Sequence, residues 1–378
     1  MFKVNMIEND EMMKRDAFSN LTGEFPAIMS VSTIEMPNRV EQRKVKEYAK
    51  ELFMPSFPQV ERIMSAFDNT GIITRNFCKS IDYYLDSHTY QEFNRDYIET
   101  SLEYSIEAIE KCISSAKIDK DQVTDIIFVS TTGLATPSLD ALIINKMKLN
   151  QNTARIPVFG LGCAGGVAGL SKACILAKAN PDAVVLLVVV ELCSLTFLKS
   201  DFSKSNFIGS SLFSDGVVAC LVMGANHKLE QSQRINYLAA QSKLYYDSLD
   251  VMGWEFQEQG FKVLFSQDIP TIISRNIYDD VISFLKKNNL ELSDIKNFIF
   301  HPGGKKVLTA YEEALPVGGD FLKNTREVMN ENGNMSAATV LYVLERFMER
   351  GFENGYGLML SMGPGVSSEM VLLGMENN

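Results

Sequence analysis

The sequence predicts an α/β fold in which strands and helices alternate along the chain and form two related halves. Three observations lead to this prediction. Short apolar runs of strand length are spaced along the sequence, segments with helical periodicity separate them, and several of these elements recur at an offset of about 171 residues. Strands that alternate with helices are typical of layered α/β proteins, in which helices cover the faces of a sheet.

The predicted strands are short runs rich in Val, Ile, Leu and Phe. We expect them at residues 27–36, 125–130, 156–160, 183–190, 216–223, 298–300 and 358–361. The run at 183–190 is apolar throughout and is flanked by Asp182 and Glu191, which is typical of a strand buried on both faces. A long helix is expected over residues 92–117, where an apolar stripe consists of Ile98, Leu102, Ile106, Ile109 and Ile113.

The repeated elements indicate a duplicated unit. Phe128 and Phe300 occupy matching places in two similar strands, at an offset of 172 residues. The strand that ends at Val190 is matched 171 residues later by the strand that ends at Ser361, and the small-residue stretches that follow residues 162 and 333 match at the same offset. An offset shared by several elements is the signature of an internal repeat. We therefore expect an N-terminal half, residues 1–225, and a C-terminal half, residues 226–378.

Composition excludes several classes of function. The chain has 36 basic and 47 acidic residues, a formal net charge of -11, so it lacks the basic surface of a nucleic-acid-binding protein. Apolar residues make up 46% and charged residues 22%, as in globular proteins and unlike disordered ones. The apolar run at 183–190 is far shorter than the roughly 18 to 20 residues of a membrane span. No secretion signal is visible, and we expect a cytoplasmic protein.

The cysteines do not indicate a metal site or a disulfide framework. There are six, without a C-x-x-C pair, and only three histidines accompany them. A structural zinc site is therefore not expected, and neither are disulfides in a reducing cytosol. Four of the cysteines lie in apolar segments and are expected in the core: Cys78, Cys112, Cys174 and Cys220.

Cys163 has a different setting, because glycines surround it at the start of a predicted helix. The segment F-G-L-G-C-A-G-G, which begins at residue 159, leads from a strand into an alanine-rich helix. The unpaired N–H groups and the dipole at a helix N-terminus favour an anion, so we expect the thiolate of Cys163 to be stabilised. The local sequence alone is equally compatible with a buried structural cysteine.

His301 and Asn334 are the other two candidates for the chemistry. His301 follows an apolar strand and precedes Pro-Gly-Gly, and sites in α/β proteins collect at such strand ends. Asn334 precedes a helix predicted over residues 337–350 and lies 171 residues after Cys163, as its counterpart in the repeat. Its amide can donate a hydrogen bond to a developing oxyanion. The alternatives are a histidine bonded to the backbone at a strand end and a simple helix cap.

Four motifs together resemble those of the type III polyketide synthases, the chalcone and stilbene synthase superfamily. They are G-C-A-G-G at Cys163, H-P-G-G at His301, G-N-M-S at Asn334 and G-P-G at residues 363–365. The match extends over about residues 27–373 in the expected order. Ketoacyl synthases also use a cysteine, a histidine and an asparagine, and the H-P-G-G and G-P-G elements distinguish the two groups. The resemblance implies a thiolase-like αβαβα fold of two pseudo-symmetric halves and a homodimer.

The resemblance also implies an acyltransferase that uses CoA thioesters and requires no cofactor or metal. Cys163 would take the starter acyl group from an acyl-CoA. His301 and Asn334 would hold the thioester carbonyl of malonyl-CoA, so that loss of CO2 leaves an enolate that attacks the acyl-cysteine. His301 would also pair with Cys163 and hold it as a thiolate. The extended chain would then cyclise to a pyrone or to a resorcinol or phloroglucinol.

Further positions are implied to line the substrate cavity. Phe213 matches the aromatic gate between the CoA tunnel and the cavity, although a core phenylalanine is the alternative. Thr136 matches the residue that reaches into the cavity of the partner subunit. The other matching positions are Thr131, Thr132, Cys193, Thr196, Val263, Ser336, Gly303, Gly304, Gly363, Pro364 and Gly365.

Some of these positions depart from the plant enzymes. Val263 stands where plant chalcone synthases have a second gating phenylalanine, and Cys193 stands where they have threonine. Segments 191–197 and 252–254 instead resemble bacterial enzymes that make alkylpyrones or alkylresorcinols, so we expect a fatty acyl-CoA starter. The CoA phosphates require cations, for which the candidates are Arg62, Arg75, Lys305 and Lys306.

Two other functions stay open from the sequence. One is an enzyme like β-ketoacyl synthase III that performs a single condensation, which would differ in the number of malonyl units in its product. The other is a non-catalytic protein of the thiolase fold that binds acyl chains. Such a protein would not need the nucleophile Cys163.

Overall fold

The computed structural model describes residues 25–54, 60–61, 63–227, 233–266 and 268–377. The strands within these residues are β1 (Ala27–Thr33), β2 (Asn38–Glu41), β3 (Thr74–Phe77), β4 (Asp125–Ser130), β5 (Ala154–Phe159), β6 (Val184–Leu192), β7 (Asp215–Met223), β8 (Gln233–Leu244), β9 (Met252–Gln257), β10 (Gly260–Phe265), β11 (Ile295–Phe300), β12 (Gly355–Gly363) and β13 (Ser367–Asn377). The α-helices are α1 (Gln42–Phe53), α2 (Ser65–Asp68), α3 (Tyr90–Ala116), α4 (Leu139–Met147), α5 (Gly165–Ala179), α6 (Lys204–Leu212), α7 (Ile269–Lys287), α8 (Lys305–Ala314), α9 (Lys323–Asn332) and α10 (Thr339–Arg350).

The large sheet has the strand order β11-β12-β13-β8-β1-β7-β6-β4-β5. From its centre, the series β1-β7-β6-β4 matches the series β8-β13-β12-β11. The directions match as well, because β4–β6 and β11–β12 are parallel pairs whereas β6–β7 and β12–β13 are antiparallel. This topology agrees with the predicted duplication. The division of the chain between residues 225 and 226 stays a prediction.

The apolar residues form three cores within five layers of secondary structure. The first core lies between α3 and the outer face of the N-terminal strands, and the third lies between α7 and α8 and the outer face of the C-terminal strands. The second core joins the inner faces of both sets of strands to α5 and α10, which lie between them. The αβαβα order expected from the resemblance is confirmed.

Burial explains why the central strands form where they do. Every residue of β6 and β7 is buried, as expected for strands that have helices on both faces. The prediction at 183–190 is confirmed, but β6 continues to Leu192. This extension brings Glu191, which we interpreted as a flanking charge, into the interior with 0% of its surface exposed.

The long helix α3 begins at a capping box. Thr89 Oγ1 accepts a hydrogen bond from Glu92 N at 3.2 Å, and the Glu92 carboxylate accepts one from Thr89 N at 2.8 Å. The predicted helix over residues 92–117 is thus confirmed, with two further residues at its start. No helix in the described part of the chain is long and apolar enough to cross a membrane.

Candidate active site

Cys163 lies in a tight 3-10 turn over residues 162–164 that leads into α5. Gly162 has φ +45, in the left-handed region that favours glycine, and its N–H donates to Thr131 Oγ1 at 3.0 Å. Cys163 is partly buried, whereas the four cysteines expected in the core are buried. Its position at a helix N-terminus agrees with the sequence-based expectation.

The Gly-Pro-Gly turn after β12 packs against this nucleophile turn. A Cβ atom on Gly162 would lie 2.6 Å from Pro364 Cδ, and one on Gly363 would lie 2.3 Å from the Leu161 carbonyl oxygen. Gly365 has φ +75, in the left-handed region. The glycines therefore permit the close approach of two backbone turns, one from each half of the fold.

Asn334 lies at the matching helix terminus of the other half, before the turn 336–338 that leads to α10. Its backbone pairs with the segment around Phe213, because Asn334 N donates to Leu212 O and Ser214 N donates to Asn334 O, both at 2.9 Å. Its side chain accepts from Ser336 N at 2.9 Å and donates from Nδ2 to Gly303 O at 3.0 Å.

Ser336 joins the two termini. Its Oγ lies 3.8 Å from Cys163 Sγ, so the N-termini of α5 and α10 meet at one point. The repeat predicts this convergence, because Cys163 and Asn334 are counterparts in it. Ser336 has φ +48, a conformation that few non-glycine residues adopt, and its side chain contacts Cys163.

His301 follows β11, and its N–H donates to Leu360 O of β12 at 2.8 Å. The side chain is 3% exposed, and neither ring nitrogen has a hydrogen-bond partner among the described residues. Burial lowers the pKa of the imidazole to about 3. Two residues later, the Gly303 carbonyl accepts from Asn334, so the H-P-G-G turn links His301 to the amide.

Burial also raises the pKa of the Cys163 thiol to about 12, and the negative charge of Glu191 adds to the shift, although donors on Ser336 and Asn334 oppose it. Burial therefore opposes the thiolate that the helix terminus favours, and the thiolate itself stays a prediction. The expected pairing of His301 with Cys163 is not present as a hydrogen bond among the described residues, since both ring nitrogens lack a partner. Burial disfavours the charged forms of both the thiol and the imidazole.

Glu191 is a site residue that the sequence analysis missed. Its Oε2 accepts from Thr131 N at 3.1 Å, and its Oε1 accepts from Ser336 Oγ at 3.4 Å. Burial raises the pKa of this carboxyl to about 7, although the hydrogen bonds oppose the shift. Thr132 Oγ1 accepts from Leu192 N at 2.9 Å on the same strand end. The available signal was an acidic residue directly after an apolar strand.

A pocket, here called the inner cavity, is lined by predicted residues and by residues of helix α1. Four predicted residues line it: Cys193, Thr196, Phe213 and Val263. Its other lining residues are mostly aliphatic or aromatic, and they are Val45, Tyr48, Ala49, Leu52, Phe53, Arg75, Phe77, Ile81, Tyr84, Leu85, Ser194, Phe197, Asn206, Gly209, Ser210 and Trp254. Thr132 lines a smaller neighbouring pocket together with Thr196.

A second pocket, here called the entrance cavity, is lined by Leu212, the residue that precedes Phe213. Gly303 and Gly304 line it, as do three exposed lysines, Lys204, Lys305 and Lys306. Phe265 also lines it, and the rings of Phe213 and Phe265 meet edge to face with centroids 6.1 Å apart. An aromatic pair thus separates the two cavities. Phe265 was not predicted from the sequence, in which position 263 matches the second gating aromatic of the plant enzymes.

The remaining predicted residues lie apart from this cluster. Arg62 is outside the described residues. Arg75 is 4% exposed and lines the inner cavity, which differs from the accessible position expected of a residue that binds a CoA phosphate. Thr136 is exposed and precedes Pro137 through a cis peptide bond. Its contact with a partner subunit stays a prediction.

Comparison with known proteins shows the family to which the chain is similar. The models for chalcone and stilbene synthases match the chain in two parts, the N-terminal domain at residues 89–227 and the C-terminal domain at residues 237–375. A chalcone synthase-like protein of Bacillus subtilis (strain 168) is 42% identical over 361 residues, which cover 92% of this chain and 98% of that protein. The 1,3,6,8-tetrahydroxynaphthalene synthase of Streptomyces peucetius subsp. caesius is 31% identical, with 92% of each chain covered.

Two solved structures are similar to this chain in fold. The crystal structure of 1,3,6,8-tetrahydroxynaphthalene synthase from Streptomyces coelicolor A3(2), a bacterial type III polyketide synthase, is 25% identical and matches with a TM-score of 0.87 over 93% of this chain and 100% of that one. The type III polyketide synthase domain of Steely1 from Dictyostelium also matches with a TM-score of 0.87, at 24% identity, which supports the fold.

Proposed function

The chain belongs to the chalcone and stilbene synthase family, the type III polyketide synthases, and from this premise we propose that its starter is a fatty acyl-CoA. It is an acyltransferase that uses CoA thioesters and needs no bound cofactor. The starter acyl group would be loaded on Cys163, extended with malonyl-CoA and cyclised to a pyrone or to a resorcinol or phloroglucinol. The observation that supports the fatty acyl starter is the apolar inner cavity.

The lining of the inner cavity suits an alkyl chain. Helix α1 contributes Val45, Ala49, Leu52 and Phe53 on one side, and Phe77, Ile81 and Leu85 lie on the wall as well. Transfer of one methylene group from water to such a lining contributes about 0.8 kcal/mol. Two additional methylenes in the starter would therefore strengthen binding about tenfold, until the chain reaches the end of the cavity.

The loading step would begin from the neutral pair. His301 has two ring nitrogens without partners, so it can accept the Cys163 proton as the sulfur attacks the thioester carbonyl. Charge separation in a buried site is favourable only if the thiolate and imidazolium form together, because their attraction is strong where water is excluded. The CoA thiolate then leaves, takes the proton from His301 and returns the imidazole to its neutral state.

The extension step would use His301 and Asn334 as donors to the malonyl thioester oxygen. The amide now donates to Gly303 O, and it would share or change this partner when the thioester binds. Loss of CO2 leaves an enolate, which attacks the acyl group on Cys163 and releases the cysteine sulfur. The product is a β-ketoacyl-CoA that is two carbons longer and can enter another cycle.

CoA would lie in the entrance cavity. Lys204, Lys305 and Lys306 line this cavity, and in the described part of the chain none of them forms an ion pair. They are therefore available to phosphates in a protein whose net charge is -11. The pantetheine arm would pass the Phe213–Phe265 pair to reach Cys163.

We also propose a cytoplasmic homodimer that is joined through β5. Among the described residues, this strand is at the edge of the sheet and pairs with β4 alone, and its terminal Phe159 is 46% exposed. Leu134, 44% exposed, and Thr136 precede α4 on a neighbouring loop. An unpaired edge that carries apolar side chains favours pairing with a second chain. Light scattering would detect the dimer, and Phe159→Lys should weaken it.

A product screen tests the proposed function. Purified protein is incubated with malonyl-CoA and one of a series of starters: acyl-CoA esters from octanoyl to stearoyl, p-coumaroyl-CoA, or no other starter. Products are identified by mass spectrometry. Cys163→Ala removes the nucleophile, and Cys174→Ala is a matched control because it removes a buried cysteine from the adjoining helix α5.

We expect triketide and tetraketide pyrones or resorcinols from the long-chain esters, lost with Cys163→Ala and kept with Cys174→Ala. Products made only from malonyl-CoA or p-coumaroyl-CoA would exclude the fatty starter. A single condensation with every ester would favour the ketoacyl synthase alternative, and unconsumed malonyl-CoA would favour the non-catalytic one.

A further inference from the structure

We propose that Arg75 binds the keto or enolate oxygens of the growing chain and thereby determines how many extensions occur. This inference rests on the proposed function, because it assumes that a polyketide occupies the inner cavity. An unsubstituted alkyl chain would not require a charged residue in the lining of the inner cavity, and the inference gives that residue a role.

Arg75 is buried with incomplete hydrogen bonding. It lies in β3 and is 4% exposed. Its Nη1 donates to Ser210 O, its guanidinium carbon lies 5.0 Å from the centre of the Phe77 ring, and its Nε has no acceptor in the described part of the chain. Burial of a guanidinium without a carboxylate partner is unfavourable. An acceptor supplied by a ligand would complete this site.

Asp215 does not fill the missing position. Its negative charge raises the pKa of Arg75 and partly offsets the effect of burial, which lowers that pKa to about 10. The Asp215 carboxylate, however, already accepts three hydrogen bonds, from Ser194 N at 2.8 Å, Ser194 Oγ at 2.5 Å and Cys78 N at 2.7 Å. Among the described residues, Arg75 forms no ion pair with it or with another carboxylate.

The position of Arg75 indicates which part of a bound chain it would contact. A Cβ atom on Gly333 would lie 3.0 Å from Arg75 Cγ, and Gly333 directly precedes Asn334. The aliphatic part of Arg75 therefore packs beside the turn that carries Asn334, and its guanidinium lies at Ser210 and Phe77 in the lining of the inner cavity. The carbons of the chain that lie nearest this turn are those added by the most recent extensions, whereas the alkyl end lies farther away.

The chemistry of the extended chain matches this cation. An alkyl tail has no acceptor, but each malonyl extension adds one keto oxygen in a 1,3 relationship to the next carbonyl. A 1,3-dicarbonyl unit forms an enolate easily, and its charge is shared by two oxygens. The planar guanidinium donates two parallel hydrogen bonds to such a pair of oxygens, which an ammonium group does not.

The malonyl carboxylate is the competing anion for Arg75. It is present before decarboxylation and absent afterwards, so the two ligands predict different defects. Loss of a carboxylate site would reduce malonyl-CoA decarboxylation, which can be measured without any starter. Loss of a polyketide site would instead change the distribution of products between one and several extensions.

The experiment compares Arg75→Met, which removes the donors, with Arg75→Lys, which keeps a cation without the planar fork. Arg39→Met is the control, because Arg39 is an exposed arginine on β2, the strand that pairs with β3. Each protein receives malonyl-CoA and the starter that the wild type uses best. The readouts are acyl-Cys163 by intact-protein mass spectrometry, decarboxylation, and the ratio of products with two or more extensions to those with one.

We expect Arg75→Met to lower this ratio at least tenfold, which corresponds to about 1.4 kcal/mol and to one hydrogen bond to a charged group. Acyl-Cys163 and decarboxylation per folded molecule should fall much less than the ratio. Arg75→Lys should have an intermediate ratio and Arg39→Met the wild-type ratio. If Arg75→Met does not fold, the Arg75→Lys ratio decides.

An unchanged ratio in Arg75→Met, or in Arg75→Lys where only that variant folds, overturns the inference, and so does a parallel fall of acyl-enzyme, decarboxylation and all products. Failure of the proposed function is distinguished by the wild-type protein. If the wild type uses another starter, the fatty acyl proposal fails while the ratio still tests Arg75. If it makes no polyketide from any starter, both proposals fail.

Discussion

Replacement of Glu191 with Gln tests whether a neutral carboxyl is buried beside the nucleophile. The folded protein holds this proton with a pKa of about 7, against the ordinary value of 4.5. A shift of about two and a half units corresponds to about 3 kcal/mol, since one unit is about 1.4 kcal/mol. The folded state binds the proton more tightly than the unfolded state. Stability is therefore lost as the pH rises from 4.5 to 7, and the loss is complete above the folded pKa.

Gln imitates the protonated acid at this position. Its carbonyl oxygen can still accept from Thr131 N, and its amide can donate to Ser336 Oγ. The variant should therefore differ least from the wild type near pH 5, where only a small part of this contribution has been lost. Near pH 8 it should be more stable by up to about 3 kcal/mol, because it has no charge to bury.

Urea unfolding at pH 5, 6, 7 and 8, followed by tryptophan fluorescence, measures this difference. Glu107→Gln is the control, because Glu107 is a partly exposed carboxylate on α3 that pairs with Lys111. If the unfolding free energies of Glu191→Gln and the wild type differ by the same amount at all four pH values, the burial of a neutral carboxyl is refuted.

Three further predictions concern the two cavities and the condensing amide. Asn334→Ala removes a donor to the developing enolate, so malonyl-CoA decarboxylation should fall about 10²- to 10³-fold. If released CO2 falls less than tenfold, the proposed role of Asn334 as that donor is contradicted. Ala49→Leu adds volume to the buried wall of the inner cavity, so the preferred acyl-CoA in a competition assay should become shorter. The overpacked wall should also lower the unfolding free energy by about 1 to 3 kcal/mol. An unchanged acyl-CoA preference would exclude this wall from starter binding. Joint replacement of Lys305 and Lys306 by Ala should raise KM for CoA esters several-fold with little change in kcat. This difference in KM should shrink in 0.5 M salt, because salt screens exposed charges. A KM that does not depend on salt would argue against phosphate contacts.

Much of the fold could be predicted because its central strands are apolar throughout and its repeat is visible at one offset. Strands β8 and β13 were missed for a related reason. β13 is buried along nine residues, but it contains Glu369, 6% exposed, whose carboxylate accepts from Ser242 Oγ of β8 at 2.5 Å. Polar residues such as this pair, one buried in β13 and one exposed in β8, interrupt the apolar pattern on which sequence reasoning depends.

The residues of the candidate site also form two groups, those that the sequence could indicate and those that it could not. Cys163, His301 and Asn334 lie in local motifs, with glycines and a strand end or helix start, so the sequence alone could indicate them. Glu191 and Arg75 have no such motif. Their significance depends on burial and on partners distant in the chain, such as Ser336 at 145 positions from Glu191 and Ser210 at 135 positions from Arg75. Long-range packing determines these contacts, and a single sequence does not reveal them.

The protonation of Glu191 connects the stability of the site with its chemistry. Burial disfavours the charged forms of Cys163 and His301, so we expect a negative charge there chiefly as the thiolate or the enolate forms. A neutral Glu191 does not oppose that charge. An ionised Glu191 does, as its contribution to the raised pKa of Cys163 indicates. The same ionisation should therefore slow the reaction as the pH rises through about 7, just above the range from 4.5 to 7 in which stability is lost, and Glu191→Gln should remove both effects.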